Sequence, residues 1–212
     1  MPLTVLYGGT FDPIHFGHLI TAQRAMELLK ADRVVFIPAR ISPHKLGGAA
    51  TGGTEPQQRL EMVRLAIASE PRFAVDDCEL LREPPSYTFD TVDILKRKYG
   101  GDMVLLIGAD QLARFHTWHR VTDLLAAVGV AILPRTSVLG PPGDTGRDAD
   151  LDAVRNHLGE QIFRQFQQAL LDTPLIAISA TEIRQRVKAG LSIDYYTPVS
   201  VVKYIGEHRC YV

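Results

Sequence analysis

A chain of 212 residues with 46% hydrophobic and 22% charged residues is long enough to bury a substantial core and too ordinary in composition for general disorder. Its 23 Lys plus Arg against 24 Asp plus Glu leave a formal net charge of -1, which exerts no global pull on a polyanion and argues against a nucleic-acid partner. Apolar runs fall short of the roughly 20 residues that cross a bilayer, and Met1-Pro2-Leu3-Thr4 lacks the charged lead-in of a secretion signal, so one α/β domain over residues 1–212, cytoplasmic and off the membrane, is expected.

In chain order, the first apolar, β-branched run is Leu3 to Tyr7, which reads as a strand buried on both faces. Helical spacing follows over Leu19 to Leu29, then a second strand over Val34 to Ile37. Arg40 to Gly53, with Gly47-Gly48 and Gly52-Gly53, reads as a mobile flap. Leu60 to Ile67 is helical, Phe73 to Val75 a strand, Phe89 to Tyr99 helical, and Met103 to Ile107 and Val128 to Leu133 strands. Pro134 to Asp150, rich in Pro, Gly and Asp, reads as a second loop, and Leu175 to Ile178 as a sixth strand. A helical part over about 180–212 then packs on the rest. Alternation of strand and helix predicts a doubly wound, mainly parallel sheet with helices on both faces, whose ligands bind beyond the carboxyl ends of the strands. Cys78 and Cys210 match no metal or redox spacing and read as buried thiols.

Gly8-Gly9-Thr10-Phe11-Asp12-Pro13-Ile14-His15-Phe16-Gly17-His18 stands at the carboxyl edge, between the first strand and a helix. Glycines let backbone amides approach an anion, and the helix start turns its positive dipole end into the same space. His15 and His18 come together if the helix begins near Ile14 or His15, and two imidazoles then grip one polyphosphate. A plain turn with an incidental histidine pair, or a zinc pair lacking its further ligands, explains the same residues one at a time. Near the other end, Ile178-Ser179-Ala180-Thr181-Glu182-Ile183-Arg184 opens a helix with a capping box from Ser179 and Glu182. Arg184 opposes the dipole there unless an anion binds, the alternative being a surface pair with Glu182 or a distant acid.

Between these ends, Ser86-Tyr87-Thr88-Phe89-Asp90-Thr91 reads as a loop whose hydroxyls cap the next helix. Asp110, in Gly108-Ala109-Asp110 after the strand Met103 to Ile107, either takes a ribose hydroxyl or caps a helix at Gln111. Trp118, the single tryptophan, is either a stacking platform or a core residue.

Taken together, these runs resemble one family. GGTFDPIHFGH resembles the signature of the nucleotidyltransferase superfamily marked by His-x-Gly-His, matched by His15, Gly17 and His18. ISATEIR resembles its Ile-Ser-Ser-Thr-x-Ile-Arg run, with Ala180 in place of the second Ser. The resemblance implies a Rossmann-like fold. It also implies that His15, His18 and Arg184 hold the triphosphate of ATP and stabilise charge, with Gly8, Gly9, Thr10, Phe11, Gly17, Ile178, Ser179, Thr181, Gly108 and Asp110 lining the nucleotide.

The middle runs, Pro43-His44-Lys45 and the stretch from Tyr195 to Ile205 are similar to bacterial nicotinate-nucleotide adenylyltransferases. That likeness implies that Trp118 stacks on the pyridine of nicotinic acid mononucleotide and that backbone amides around Thr88 and His119, beside Tyr87, receive its carboxylate. Asp110 would hold ribose, and Lys45 would face phosphate and serve in catalysis. Amide donors favour a carboxylate over a carboxamide, which brings competing N–H groups. The expected reaction joins AMP from ATP to nicotinic acid mononucleotide with release of pyrophosphate. Mg²⁺ would be carried by ATP, without dedicated protein ligands, in a monomer or small homo-oligomer. Phosphopantetheine adenylyltransferase of the same superfamily and a non-catalytic nucleotide-binding regulator are the alternatives.

Overall fold

The computed structural model describes residues 1–40, 54–134 and 145–212, with the backbone alone for 145–150. In order these form β1 (Leu3–Gly9), α1 (Phe16–Leu29), β2 (Arg33–Pro38), α2 (Pro56–Ile67), β3 (Phe73–Val75), α3 (Thr88–Tyr99), β4 (Asp102–Gly108) and a 3₁₀ helix (Ala109–Thr117). They continue with α4 (Val121–Ala127), β5 (Gly129–Leu133), α5 (Thr145–Leu158), α6 (Glu160–Gln168), α7 (Ala180–Lys188) and α8 (Val199–Glu207).

Among the described residues the strands make one sheet in the order β3-β2-β1-β4-β5, every pair parallel. This is the α/β, doubly wound, Rossmann-like arrangement, with the strand order reversing between β1 and β4. Alternate residues of β1 explain why its sequence is a continuous apolar run. Val5 packs with Phe36, Met26 and Val63 on one face, Leu6 with Val35, Leu105 and Val92 on the other, and both are 0% exposed. Ile183, Ile193, Val201 and Ile205 join the Val5 cluster, so the segment after α6 seals one face of the sheet.

Two expectations are corrected. Leu175 to Ile178 carries no strand. The open edge of β5 is met earlier, where Ile132 donates to Ala169 O at 2.8 Å and Leu171 donates to Ile132 O at 2.9 Å. Thr173 N–H then turns back to Leu171 O at 3.0 Å, and Pro174 has no N–H to extend a ladder. The expected loop Pro134 to Asp150 is helical from Thr145 onward, because α5 begins there; 135–144 lie outside the described residues. So do 41–53, the body of the expected flap. Cys78 and Cys210 are free and buried, and burial pushes the Cys78 thiol up to about 12. Among the described residues no helix is long and apolar enough to cross a membrane.

Asp76, just past β3 and 2% exposed, ties that short strand to the end of α3. It accepts from Lys98 Nζ at 2.7 Å, Tyr99 OH at 3.0 Å and Cys78 N–H at 3.0 Å. Burial pushes its carboxyl upward, but the ammonium and the donated hydrogen bonds prevail and hold it below the usual range. A carboxylate depressed on folding stabilises above its unfolded value of about 3.9 and loses that contribution as pH falls through its folded value. Asp76→Asn should lower the melting temperature at pH 7 by roughly 3–8 °C. Melts across pH should show the gap to wild type closing in acid; a gap constant from neutral to acid pH contradicts this.

Candidate active site at the carboxyl edge of the sheet

The chain leaves β1 by folding tightly over the sheet edge. A Cβ at Gly9 would lie 2.8 Å from the Phe11 ring, so only glycine leaves room for that ring to tuck under. Phe11 takes a left-handed backbone, φ 49°, and its ring sits edge-on to Tyr7 at 5.7 Å and His18 at 5.0 Å. Implied as an ATP contact, Phe11 thus has its ring in the core, 2% exposed.

α1 begins at Phe16 with His15 at its N-cap, where the histidine pairing requires it. His18 Nδ1 accepts the His15 N–H at 3.3 Å, and the two rings lie 3.7 Å apart at 31°. The site is closed from the far end of the chain: Phe16 N–H donates to Tyr196 O at 3.0 Å and Thr197 Oγ1 to Ile14 O at 2.7 Å. At Gly17 an added Cβ would stand 2.9 Å from the His15 ring and 3.7 Å from Ile178 O. The two motifs therefore converge at a residue with no side chain.

Ser179 caps α7, its Oγ accepting Glu182 N–H at 3.1 Å. Arg184 Nη1 reaches Asp12 O at 2.7 Å, and its Nη2 reaches Thr181 Oγ1 at 3.1 Å. The guanidinium thus bridges the loop after β1 and the start of α7. His15, Gly17, His18, Ile178, Ser179, Thr181 and Arg184 come together, and Gly8 and Gly9 end the strand beneath them.

Sequence reasoning missed what supports this loop. Asp12 Oδ1 accepts from Tyr211 OH at 2.8 Å, from Thr54 N–H at 3.3 Å and from the Thr54 hydroxyl. Arg59, 3% exposed, donates to Thr10 O at 2.6 Å and to Thr54 O and Arg40 O at 3.3 Å each. Burial lowers the Arg59 pKa, while the Asp12 carboxylate opposes that shift. Asp12 lies inside the quoted run, which was the one available signal; Arg59 and Tyr211 offered none.

At the end of β4, Asp110 is exposed and accepts from Gln111 Nε2 at 2.8 Å, while Gly108 holds the N-cap position that Asp110 was offered. Trp118 is half-buried with its ring 4.8 Å from Phe115, the packing expected of a core residue. Tyr87 stacks on His119 at 4.3 Å and 27°, which brings the Thr88 and Trp118 segments side by side.

The hydroxyls expected to cap α3 are used differently. Tyr87 occupies the N-cap without a side-chain bond, and Ser86 Oγ turns to Glu79 O at 3.4 Å. Thr91 Oγ1 donates to Glu79 Oε1 at 2.7 Å, and burial pushes the Glu79 carboxyl upward. Lys45, with Pro43 and His44, lies outside the described residues. Among those described, no group of three or more His, Cys, Asp or Glu stands ready to hold a metal ion.

The cytidylyltransferase-like family pattern matches residues 6–186. A probable nicotinate-nucleotide adenylyltransferase of Pectobacterium atrosepticum is 38% identical over 99% of this chain and 98% of its own length. One of Serratia proteamaculans is 41% identical over 99% of this chain and 95% of its own. The chain belongs to the nicotinate-nucleotide adenylyltransferase family. Among solved structures, a Plasmodium falciparum nicotinic acid mononucleotide adenylyltransferase complexed with NaAD has the same fold at 18% identity, with a TM-score of 0.71 over 100% of this chain and 98% of that one. As a member of that family the chain carries the histidine pair and the α7 start on one sheet edge.

Gly17→Ala should displace the His15 ring and weaken Mg-ATP binding about tenfold, with little change in melting temperature. Calorimetric titration beside a thermal melt checks it. Unaltered ATP affinity would show that Gly17 does not set the position of His15.

Proposed function

We propose that this protein transfers the adenylyl group of ATP to nicotinic acid mononucleotide, giving nicotinic acid adenine dinucleotide and pyrophosphate. The observation that supports the reading is that the His15–His18 pair and the start of α7, each suited to hold phosphate, meet at the carboxyl edge of β1. A phosphate oxygen of the mononucleotide attacks the α-phosphorus in line. A new P–O bond forms, the bond from the α-phosphorus to the bridging oxygen of the β-phosphate breaks, and pyrophosphate leaves. No protein nucleophile is needed, because the acceptor already carries a charged oxygen. What the protein must do is align two anions that repel each other and offset the charge that grows on the leaving phosphates.

His15 and His18 donate to those phosphates. Arg184, the Ser179 and Thr181 hydroxyls and the first amides of α7 take the remaining oxygens, since an anion there relieves the unfavourable position of a cation at a helix start. Lys45 supplies a further positive charge. Asp110, exposed at the end of β4, receives ribose hydroxyls, and the Tyr87–His119 stack sets the backbone amides that bind the pyridine carboxylate. Trp118 covers the pyridine. Mg²⁺ enters as part of the substrate, bound by phosphate oxygens and water.

Pyrophosphate release from Mg-ATP should be measured with nicotinic acid mononucleotide, nicotinamide mononucleotide and phosphopantetheine offered separately. We expect kcat/KM for the acid to exceed that for the amide by at least about tenfold, and no release with phosphopantetheine. Release with phosphopantetheine alone, or with none of the three, contradicts the assignment.

A further inference from the structure

Asp12 is gripped from both of its ends. Its carbonyl accepts Arg184 Nη1 at 2.7 Å, and its carboxylate accepts Tyr211 OH at 2.8 Å. Tyr211 lies beyond α8, 199 positions from Asp12, and meets it at the end of a turn in which Arg209 (φ 49°) and Tyr211 (φ 68°) take a left-handed backbone. Side chains rarely adopt that conformation, and it persists where surrounding contacts impose it. Here the contacts are Cys210 N–H to Ile205 O at 3.0 Å and the burial of Cys210 at 4% exposure in the same cluster as Val5. A strained tail turn that delivers one phenol to one carboxylate beneath the phosphate loop is more than a means of docking the tail, since the apolar packing of Cys210 already does that.

Tyr211 ties Asp12 Oδ1 to the tail beyond α8. Among the described residues, Arg59 holds Thr10 O, two residues upstream, and Thr54 gives Asp12 Oδ1 two further hydrogen bonds, from its N–H and its hydroxyl. The residue whose carbonyl meets Arg184 is thereby tied through its side chain to the tail.

We propose that Tyr211 is a positioning residue of the phosphate site, which fixes Asp12 and through it the guanidinium of Arg184. The proposal rests on the assignment of Arg184 to the triphosphate given above. It does not depend on the identity of the acceptor. Tyr211 touches no substrate; its hydroxyl makes ATP binding stronger by holding Arg184 ready, without bearing on the acceptor pocket at Tyr87 and Trp118.

The test compares the full chain with Tyr211→Phe, Asp12→Ala, Asp12→Asn and the double variant Tyr211→Phe/Asp12→Ala, by calorimetric Mg-ATP affinity, steady-state kinetics and thermal melts. Tyr211→Phe, which keeps the ring and loses one hydroxyl, should raise Kd and KM for ATP about fivefold while KM for nicotinic acid mononucleotide is unchanged. The double variant should be no worse than Asp12→Ala, as coupled groups require. Asp12→Asn, which retains an oxygen acceptor, should stay near wild type. Wild-type ATP affinity in Tyr211→Phe, or additive losses in the double variant, overturns the proposal and leaves Tyr211 a tail anchor. Calorimetry needs no turnover, so it tests this inference even if wild-type protein fails to use the mononucleotide, an outcome that would instead refute the proposed reaction.

Discussion

The hydrogen bond from Arg184 to the carbonyl of Asp12 spans 172 positions of sequence and makes one site out of two chain segments. Neither segment suffices alone. The loop after β1 offers imidazoles but little fixed positive charge, and the start of α7 offers amides and a guanidinium with nothing opposite. Joining them requires that both lie at the same edge of the sheet. A parallel sheet achieves this because every strand ends on that side. The rest of the molecule serves the junction: the segment after α6 seals the Val5 face, and Tyr196 and Thr197 hold the chain around His15 by its main-chain groups. Two phosphorylated substrates a few ångströms apart repel by about 1 kcal/mol per charge pair even in bulk water, and by several times more near a protein surface. A site of this kind is therefore built mostly from donors held in place.

Much of this was legible in the sequence, for reasons that differ by element. β1, β2 and β4 are buried on both faces, which writes them as apolar runs that need no neighbour to be recognised. The α7 cap was legible because Ser179 and Glu182 are three residues apart, so their bond is local. The histidine pair was likewise local, one ring at the N-cap and one a turn onward. Leu175 to Ile178 misled because composition reports burial and not pairing; the strand edge had already been used by residues 169–171, and Pro174 has no amide. The start of α5 was hidden by the Pro-, Gly- and Asp-rich run that precedes it.

The supports of the site were not legible for a common reason. Arg59 reaches Thr10 across 49 positions and Tyr211 reaches Asp12 across 199, and no short pattern encodes either distance. Glu79 is similar in kind. A glutamate in a charged stretch looks solvated, yet its side chain accepts Thr91 and its carbonyl accepts Ser86, which pins the loop that presents Tyr87 and Thr88. These buried and half-buried polar groups tie the loops of the site in place, and catalysis by alignment depends on such positioning more than on any reactive side chain. Trp118 serves both ends, packing on Phe115 while its segment lies beside the Tyr87–His119 stack.

In the proposed reaction the protein aligns and stabilises but never forms a bond to the adenylyl group. This is open to a direct challenge, since two imidazoles 3.7 Å apart stand where a covalent adenylyl-histidine could form. The decisive measurement is the stereochemical course at the α-phosphorus, followed with ATP made chiral there by sulfur substitution and with nicotinic acid mononucleotide as acceptor. A single in-line displacement predicts inversion in the dinucleotide product. Retention would mean two displacements through a covalent enzyme intermediate, and would contradict direct transfer between the substrates.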